Sequence, residues 1–152
     1  MSELDLTLLE DWVDGLLLTI SPAGRRRIAQ SVAIALRRSQ QQRIADQRNP
    51  DSTPYVPRKA RRLRNKVGRI KRGRMFAKLR TAKYLKANAT ADSAEVAFMG
   101  RVARIARVHQ YGLTDQVTPS GPRVRYERRE LLGFSSDDRE LVKGLLINHL
   151  ID

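Results

Sequence analysis

The sequence predicts an α+β fold: two N-terminal helices, a long basic loop, then a small, mainly antiparallel sheet packed by helices. Apolar residues recur at helical spacing through residues 4–47, and three prolines in residues 49–57 end that pattern. From residue 84 onward, short alternating runs and turn residues replace it. At 152 residues the chain fits one domain, spanning 1–152. A chain of this size buries roughly 70% of its unfolded surface.

The first helix is expected over Leu4 to Ile20, with Leu8, Leu9, Trp12, Val13, Leu16 and Leu17 on one stripe and Asp5, Asp11 and Asp14 off it. Ser21-Pro22 marks a stop and restart, with Ser21 as N-cap and Pro22 at the first helical position. The second helix runs to about Gln47, with Ile28, Val32, Ala35, Leu36 and Ser39 inward. Its first turn carries Arg25, Arg26 and Arg27, the wrong charge for a helix N-terminus. Two compensations are open. The acids of helix one (Glu10, Asp11, Asp14) fold back onto these arginines, or the same groups pair between neighbouring copies in an assembly.

Asn49 to Pro57 is an ordered turn or extended loop, because no regular element survives that proline density. Arg58 to Arg74 is densely basic, with Leu63, Val67 and Ile70 as its large apolar residues. That is too little to offset ordering entropy, so residues 49–74 read as a Pro-rich stretch followed by a mobile basic loop. Met75 to Lys83 reads as a helical turn with Met75, Phe76 and Leu79 on one side. Strands follow at Tyr84–Ala89 and Glu95–Met99, joined by a turn over 90–93. A short helix spans Arg104–Tyr111, with Ile105 and Val108 inward and Gly112 as C-cap. Arg123–Glu127 alternates as a strand with Val124 and Tyr126 on one face. A last helix is capped by Ser135 or Ser136, has Asp137 and Asp138 in its first turn, and turns Leu141, Leu145 and Leu150 inward.

Catalytic chemistry is not written into this chain. With no cysteine there is no thiolate nucleophile, no disulfide and no cysteine-ligated metal. His109 and His149 sit beside apolar residues and read as structural, and no H-x-x-x-H or H-x-E pattern builds a metal site. Asp137, Asp138 and Glu140 cluster where a helix N-terminus accounts for them. Gly68 and Gly73 have the spacing of a phosphate-binding loop, but Arg74 and Met75 stand where that motif needs Lys and Ser or Thr. No enzyme, cofactor or metal is expected. The longest apolar run, Leu16 to Ile20, is too short to span a bilayer, and the acidic start is unlike a secretory signal. A soluble protein without membrane contact is the expectation.

The net charge of +14 is concentrated. Residues 1–24 hold five acids and no base, residues 58–91 hold fourteen bases and no acid, and residues 92–152 hold nine of each. Arg58, Lys59, Arg61, Arg62, Arg64, Lys66, Arg69, Lys71, Arg72, Arg74, Lys78 and Arg80 are therefore candidates for docking DNA or a protein partner. Phosphate neutralisation by such a run is strongly salt-dependent. Only Tyr55, Phe76 and Tyr84 border it, which is poor provision for base stacking. An acidic protein surface is the other candidate partner.

Several blocks resemble a known family. Ser39-Gln40-Gln41-Gln42-Arg43-Ile44, Pro50-Asp51-Ser52-Thr53-Pro54-Tyr55, Arg69-Ile70-Lys71-Arg72 and Met75-Phe76-Ala77-Lys78-Leu79-Arg80-Thr81 are the first four. Ala106-Arg107-Val108-His109-Gln110-Tyr111-Gly112 and Leu131-Leu132-Gly133-Phe134-Ser135-Ser136-Asp137-Asp138 complete the set. In order over residues 20–150, they resemble the virion morphogenesis (tail completion) family of contractile-tailed temperate phages and related bacteriocin particles. Ser52 stands where that family often has glycine, and Gly73 is an extra residue between two blocks.

The resemblance implies a non-enzymatic virion protein, assembled in the bacterial host cytoplasm, at the head-proximal end of the tail. It would finish the tail or ready it for head joining, as a homo-oligomeric ring, six copies being one candidate size. Partners implied are tail tube, tail terminator or neck proteins, with non-specific contact to DNA in the channel. Glu10, Asp11, Asp14, Arg25, Arg26 and Arg27 are the candidate subunit interface, since a ring needs two different complementary surfaces per copy. The alternative is a small basic nucleic-acid-binding protein.

Overall fold

Ser21 separates the first two helices as the Ser-Pro pair requires. In the computed structural model, which describes residues 3–59 and 74–151, α1 spans Glu3–Thr19 and α2 spans Pro22–Ala45. The Ser21 hydroxyl accepts from Gly24 N at 3.1 Å, and Pro22 opens the helix. The basic run over residues 60–73, which the sequence marks as mobile, lies outside the described residues.

Helix α2 is the spine. Its N-terminal half places Ile28, Val32 and Leu36 in one apolar cluster, against which Ile20, Val96, Val142, Leu145 and Leu146 pack. Its C-terminal end sets Ile44 into a second cluster with Tyr55, Met75, Phe76, Ala106 and Leu131. Because α2 is covered from more than one side, its buried face is broader than the expected stripe. Ala33, Gln40 and Arg43 are buried, whereas Ala35 and Ser39 are only half-buried.

The proline-rich stretch is an ordered turn. Asn49 N donates to Thr53 O at 2.8 Å, Arg48 bridges Pro54, and Tyr55 N donates to Gln47 O at 2.7 Å. Ser52 sits in the left-handed region at φ 70°. That conformation strains any residue with a Cβ.

Met75–Lys83 is not a helix. Phe76 has φ 67°, incompatible with a right-handed helix, and the segment folds as turns closed by Arg80 N to Phe76 O at 3.2 Å. The apolar residues still go inward. Met75 and Phe76 are buried, and Leu79 packs against the same cluster. The Phe76 ring meets Tyr55 edge-on, with centroids 5.8 Å apart, and His109 at 4.8 Å.

Strands β1 (Leu85–Ala89) and β2 (Ala94–Phe98) form an antiparallel hairpin in register Leu85↔Phe98 through Ala89↔Ala94, with Thr90 N donating to Ser93 O at 2.8 Å. Helix α3 (Val102–Tyr111) ends at Gly112, whose φ of 62° is the left-handed C-cap. Val102, Ala106 and Val108 are its buried residues, while Ile105, expected inward, is 47% exposed. The stripe runs through Val102 and Ala106 at i, i+4, which turns Ile105 outward.

A second small sheet follows. Strand β3 (Thr114–Gln116) pairs antiparallel with β4 (Arg123–Arg125), a shorter strand than the sequence suggested. Helix α4 (Ser136–Ile151) packs on α2 through Val142, Leu145 and Leu146. Leu141, expected inward, is exposed, and Leu150 is half-buried. The architecture is α+β, with two small antiparallel sheets. Among the described residues no helix is long and apolar enough to cross a membrane.

Candidate functional site

Three of the motif blocks meet in space. On α2, Gln40 Nε2 donates to Gly133 O at 3.0 Å and to Asp138 Oδ2 at 3.1 Å, and Gln40 Oε1 accepts from Gly133 N at 3.2 Å. Arg43 donates to the carbonyls of Arg48 at 3.1 Å, Glu130 at 3.0 Å and Leu131 at 3.0 Å, and to the Gln40 side chain. On α3, Gln110 Oε1 accepts from Leu131 N at 2.8 Å and Leu132 N at 2.9 Å, and its amide donates to Leu132 O at 2.8 Å. Among the described residues, 130–133 have no strand partner. Side chains supply the hydrogen bonds their backbone would otherwise lack. Gln40, Arg43 and Gln110 were not among the sequence-derived site residues. Polar residues in helices read as solvated, and only the family resemblance singled them out.

Asp138 is fully enclosed at the start of α4. Its backbone N donates to Ser135 Oγ, and its carboxylate accepts from Ser135 N, each at 3.0 Å: a reciprocal cap. Burial alone would raise its pKa. Hydrogen bonds from Ser39 and Ser135, with the Arg43 charge, outweigh that and hold the carboxyl below its ordinary value. The acidic cluster of Asp137, Asp138 and Glu140 is thus a helix start. Among the described residues no group of three or more metal-ligating side chains converges.

The described flanks of the basic segment converge on a cavity of about 530 Å³, which Arg58, Lys59, Met75 and Phe76 line together with His109 and Tyr126. Arg129, also in its wall, pins the approach: Nε donates to Val56 O at 2.7 Å and NH2 to Pro57 O at 3.2 Å. Tyr55 OH donates to Glu130 O at 3.1 Å. The His109 ring is held edge-on between Phe76 and Tyr126. Its Nδ1 lies 3.4 Å from Arg129 NH1, and a guanidinium only donates, so Nδ1 is the acceptor. Burial, then the charges of Arg129 and Arg58, push the His109 pKa down to about 4. It is a neutral structural residue at pH 7. His149, by contrast, is exposed on α4.

Of the twelve candidate docking cations, Arg58, Lys59, Arg74, Lys78 and Arg80 are described. Arg58, Lys59, Arg74 and Lys78 are exposed. Arg80 is half-buried, and its carbonyl accepts from Gln41 Nε2 at 2.7 Å. Arg61, Arg62, Arg64, Lys66, Arg69, Lys71 and Arg72 lie outside the described residues, as does the rejected glycine loop through Gly73.

The second candidate surface combines α1 with the start of α2. Glu10, Asp11 and Asp14 are exposed, as are Arg26 and Arg27. Arg25 pairs with Asp92 of the β1–β2 turn at 3.6 Å. Among the described residues no ion pair joins Glu10, Asp11 or Asp14 to Arg25, Arg26 or Arg27. On α1, Leu8 and Trp12 are exposed, and Val13 and Leu16 are half-buried.

Comparison with known proteins follows the same lines. The model described as the phage virion morphogenesis family matches residues 4–151. Tail completion protein S of Escherichia phage P2 is 42% identical over 142 residues, 93% of this chain and 94% of that protein. No solved structure matches.

Proposed function

The chain belongs to the phage virion morphogenesis family, and from that premise we propose that it is a structural tail completion protein. It finishes the head-proximal end of a phage tail as a homo-oligomeric ring and makes that end competent to join the head. The observation that carries this reading is the 42% identity to a tail completion protein across 93% of the chain. That coverage includes the interlocked blocks on α2, on α3 and over residues 131–138. An exposed amphipathic helix on a small folded body suits a module that completes its packing within an assembly.

Glu10, Asp11 and Asp14 of one copy are the proposed partners of Arg25, Arg26 and Arg27 of the next, a heterologous contact that closes into a ring. The cations from Arg58 to Arg80 face tail, terminator or neck proteins, or the DNA of the channel. Filter binding of duplex DNA over a salt series separates those two. Binding that falls steeply with salt supports the lumen-facing reading, and flat, negligible binding at low salt removes it.

The functional test is deletion of the gene from the particle-encoding genome, with electron microscopy of the lysate. Tails unable to join filled heads, restored by supplying the chain in trans, are expected. Normal head–tail joining without the chain would overturn the proposal.

A further inference from the structure

An open apolar groove crosses the body on the side of β2, α3 and the 132–134 turn. Its larger part, about 660 Å³, lies among Phe98, Ala103, Gln110, Tyr111 and Phe134. A smaller part, about 120 Å³, continues past Leu132 to Val96 and Ala94. Tyr111 and Phe134 are each 62% exposed, a large apolar surface for a chain with an aromatic content of 5%.

The charges around the groove are mostly paired, with one arginine left over. Helix α3 carries Arg104 and Arg107 and no acid. Arg104 is engaged by Asp115, while Arg107, which lines the groove, has no acidic partner among the described residues. At the other end, two residues before Ala94, Asp92 and Arg25 pair with each other. The groove is thus an apolar trough whose one charged lining residue, among the described residues, is Arg107.

The same chain presents the complement. Helix α1 carries Glu10, Asp11 and Asp14 and no base, and Trp12 is 58% exposed on it. Apolar residues at i, i+4 are the pattern of a helix that lies in an apolar groove, and the acids beside them complement Arg107. We infer that α1 of one copy seats in this groove of the next copy, with Trp12 as the buried anchor against Tyr111 and Phe134. The inference rests on the ring proposed above and names its contact. Groove and helix are different surfaces of one chain, so the contact is head-to-tail, the type that closes into rings.

Trp12 is the only tryptophan, so the emission reports the surroundings of that one residue. In the full chain, sedimentation over a concentration series is run beside Trp12 emission. A blue shift that tracks association is expected. Phe134→Asp, at an exposed position that does not support the fold, should weaken association roughly thirtyfold, as loss of a central aromatic anchor does. A mixture of Trp12→Asp chain (groove intact) with Phe134→Asp chain (helix intact) should form a 1:1 complex that stops there, with the remaining tryptophan blue-shifted.

Association with Trp12 emission unchanged would leave a ring standing and refute this contact. So would a Phe134→Asp chain that assembles as tightly as the parent, or a Trp12 shift that needs another tail protein. A chain that stays monomeric refutes the ring and the contact together, while the deletion-and-rescue test still reads tail completion.

Discussion

The Ser39 hydroxyl donates to Oδ1 of Asp138, joining the middle of α2 to the first turn of α4 across 99 positions of sequence. The same carboxylate caps its own helix and accepts from Gln40, so one side chain fixes where α4 starts and how it lies on α2. Asp138→Ala removes the acceptor of the Ser39 hydroxyl and of one Gln40 amide hydrogen. A loss of about 2–3 kcal/mol in urea unfolding is expected. Asp138→Asn, which keeps an acceptor and the shape, should lose less. Equal stability of the alanine variant and the parent would show that the network does not hold the helices.

His109 makes acid unfolding begin early. Its pKa in the fold, about 4, lies below the ordinary 6.5. Between those values the unfolded chain binds the proton and the fold refuses it. Stability is therefore complete above pH 6.5 and falls as pH drops toward 4. His109→Phe keeps a ring between Phe76 and Tyr126 and removes the titration. Urea midpoints measured from pH 7 to pH 4 should decline less steeply in this variant than in the parent. Parallel declines would exclude His109 as the source.

Ser52 carries a left-handed backbone that its Cβ opposes. Its side chain is exposed, so little is lost by removing it. Ser52→Gly should stabilise the fold by about 1 kcal/mol, read as a raised Tm, since relief of the strain exceeds the added entropy of the unfolded chain. A lowered Tm would mean that the turn's conformation is held without strain.

Gly112 is the opposite case. Its φ is 62°, and a Cβ there would stand 3.2 Å from Arg128 N and 3.3 Å from Arg128 Cα. Gly112→Ala should cost about 1–2 kcal/mol in unfolding free energy. Because the affected contact is backbone, side-chain adjustment gives no relief, and a neutral substitution would contradict the described C-cap.

Local chemistry was the legible part of this fold. The Ser21-Pro22 restart, the hairpin turn over 90–93, the Gly112 C-cap and the Ser135 cap all follow from residues within a few positions of one another. Phe76 was misread because an apolar triplet at helical spacing carries no mark of a positive φ. Strand β3, Thr114-Asp115-Gln116, has no apolar residue to signal it. Its partner β4 supplies the pairing, from eleven positions on at the Thr114↔Arg125 end of the ladder. The buried polar residues were least legible. Gln40 and Gln110 look like surface glutamines until the bare backbone of residues 131–133 is brought against them. For the docking surfaces, sequence shows which residues are charged, acids through residues 1–24 and bases through 58–91. It could not show that Arg25 turns to Asp92, 67 positions away, because that contact depends on the hairpin lying against α2.

The most direct measurement is a cryo-electron microscopy reconstruction of the head-proximal end of the assembled tail. A ring built from copies of this chain at that end, with α1 of each copy lying on its neighbour, is the expected density. Absence of the chain from that end, or its presence at the opposite end of the tail, would contradict the account.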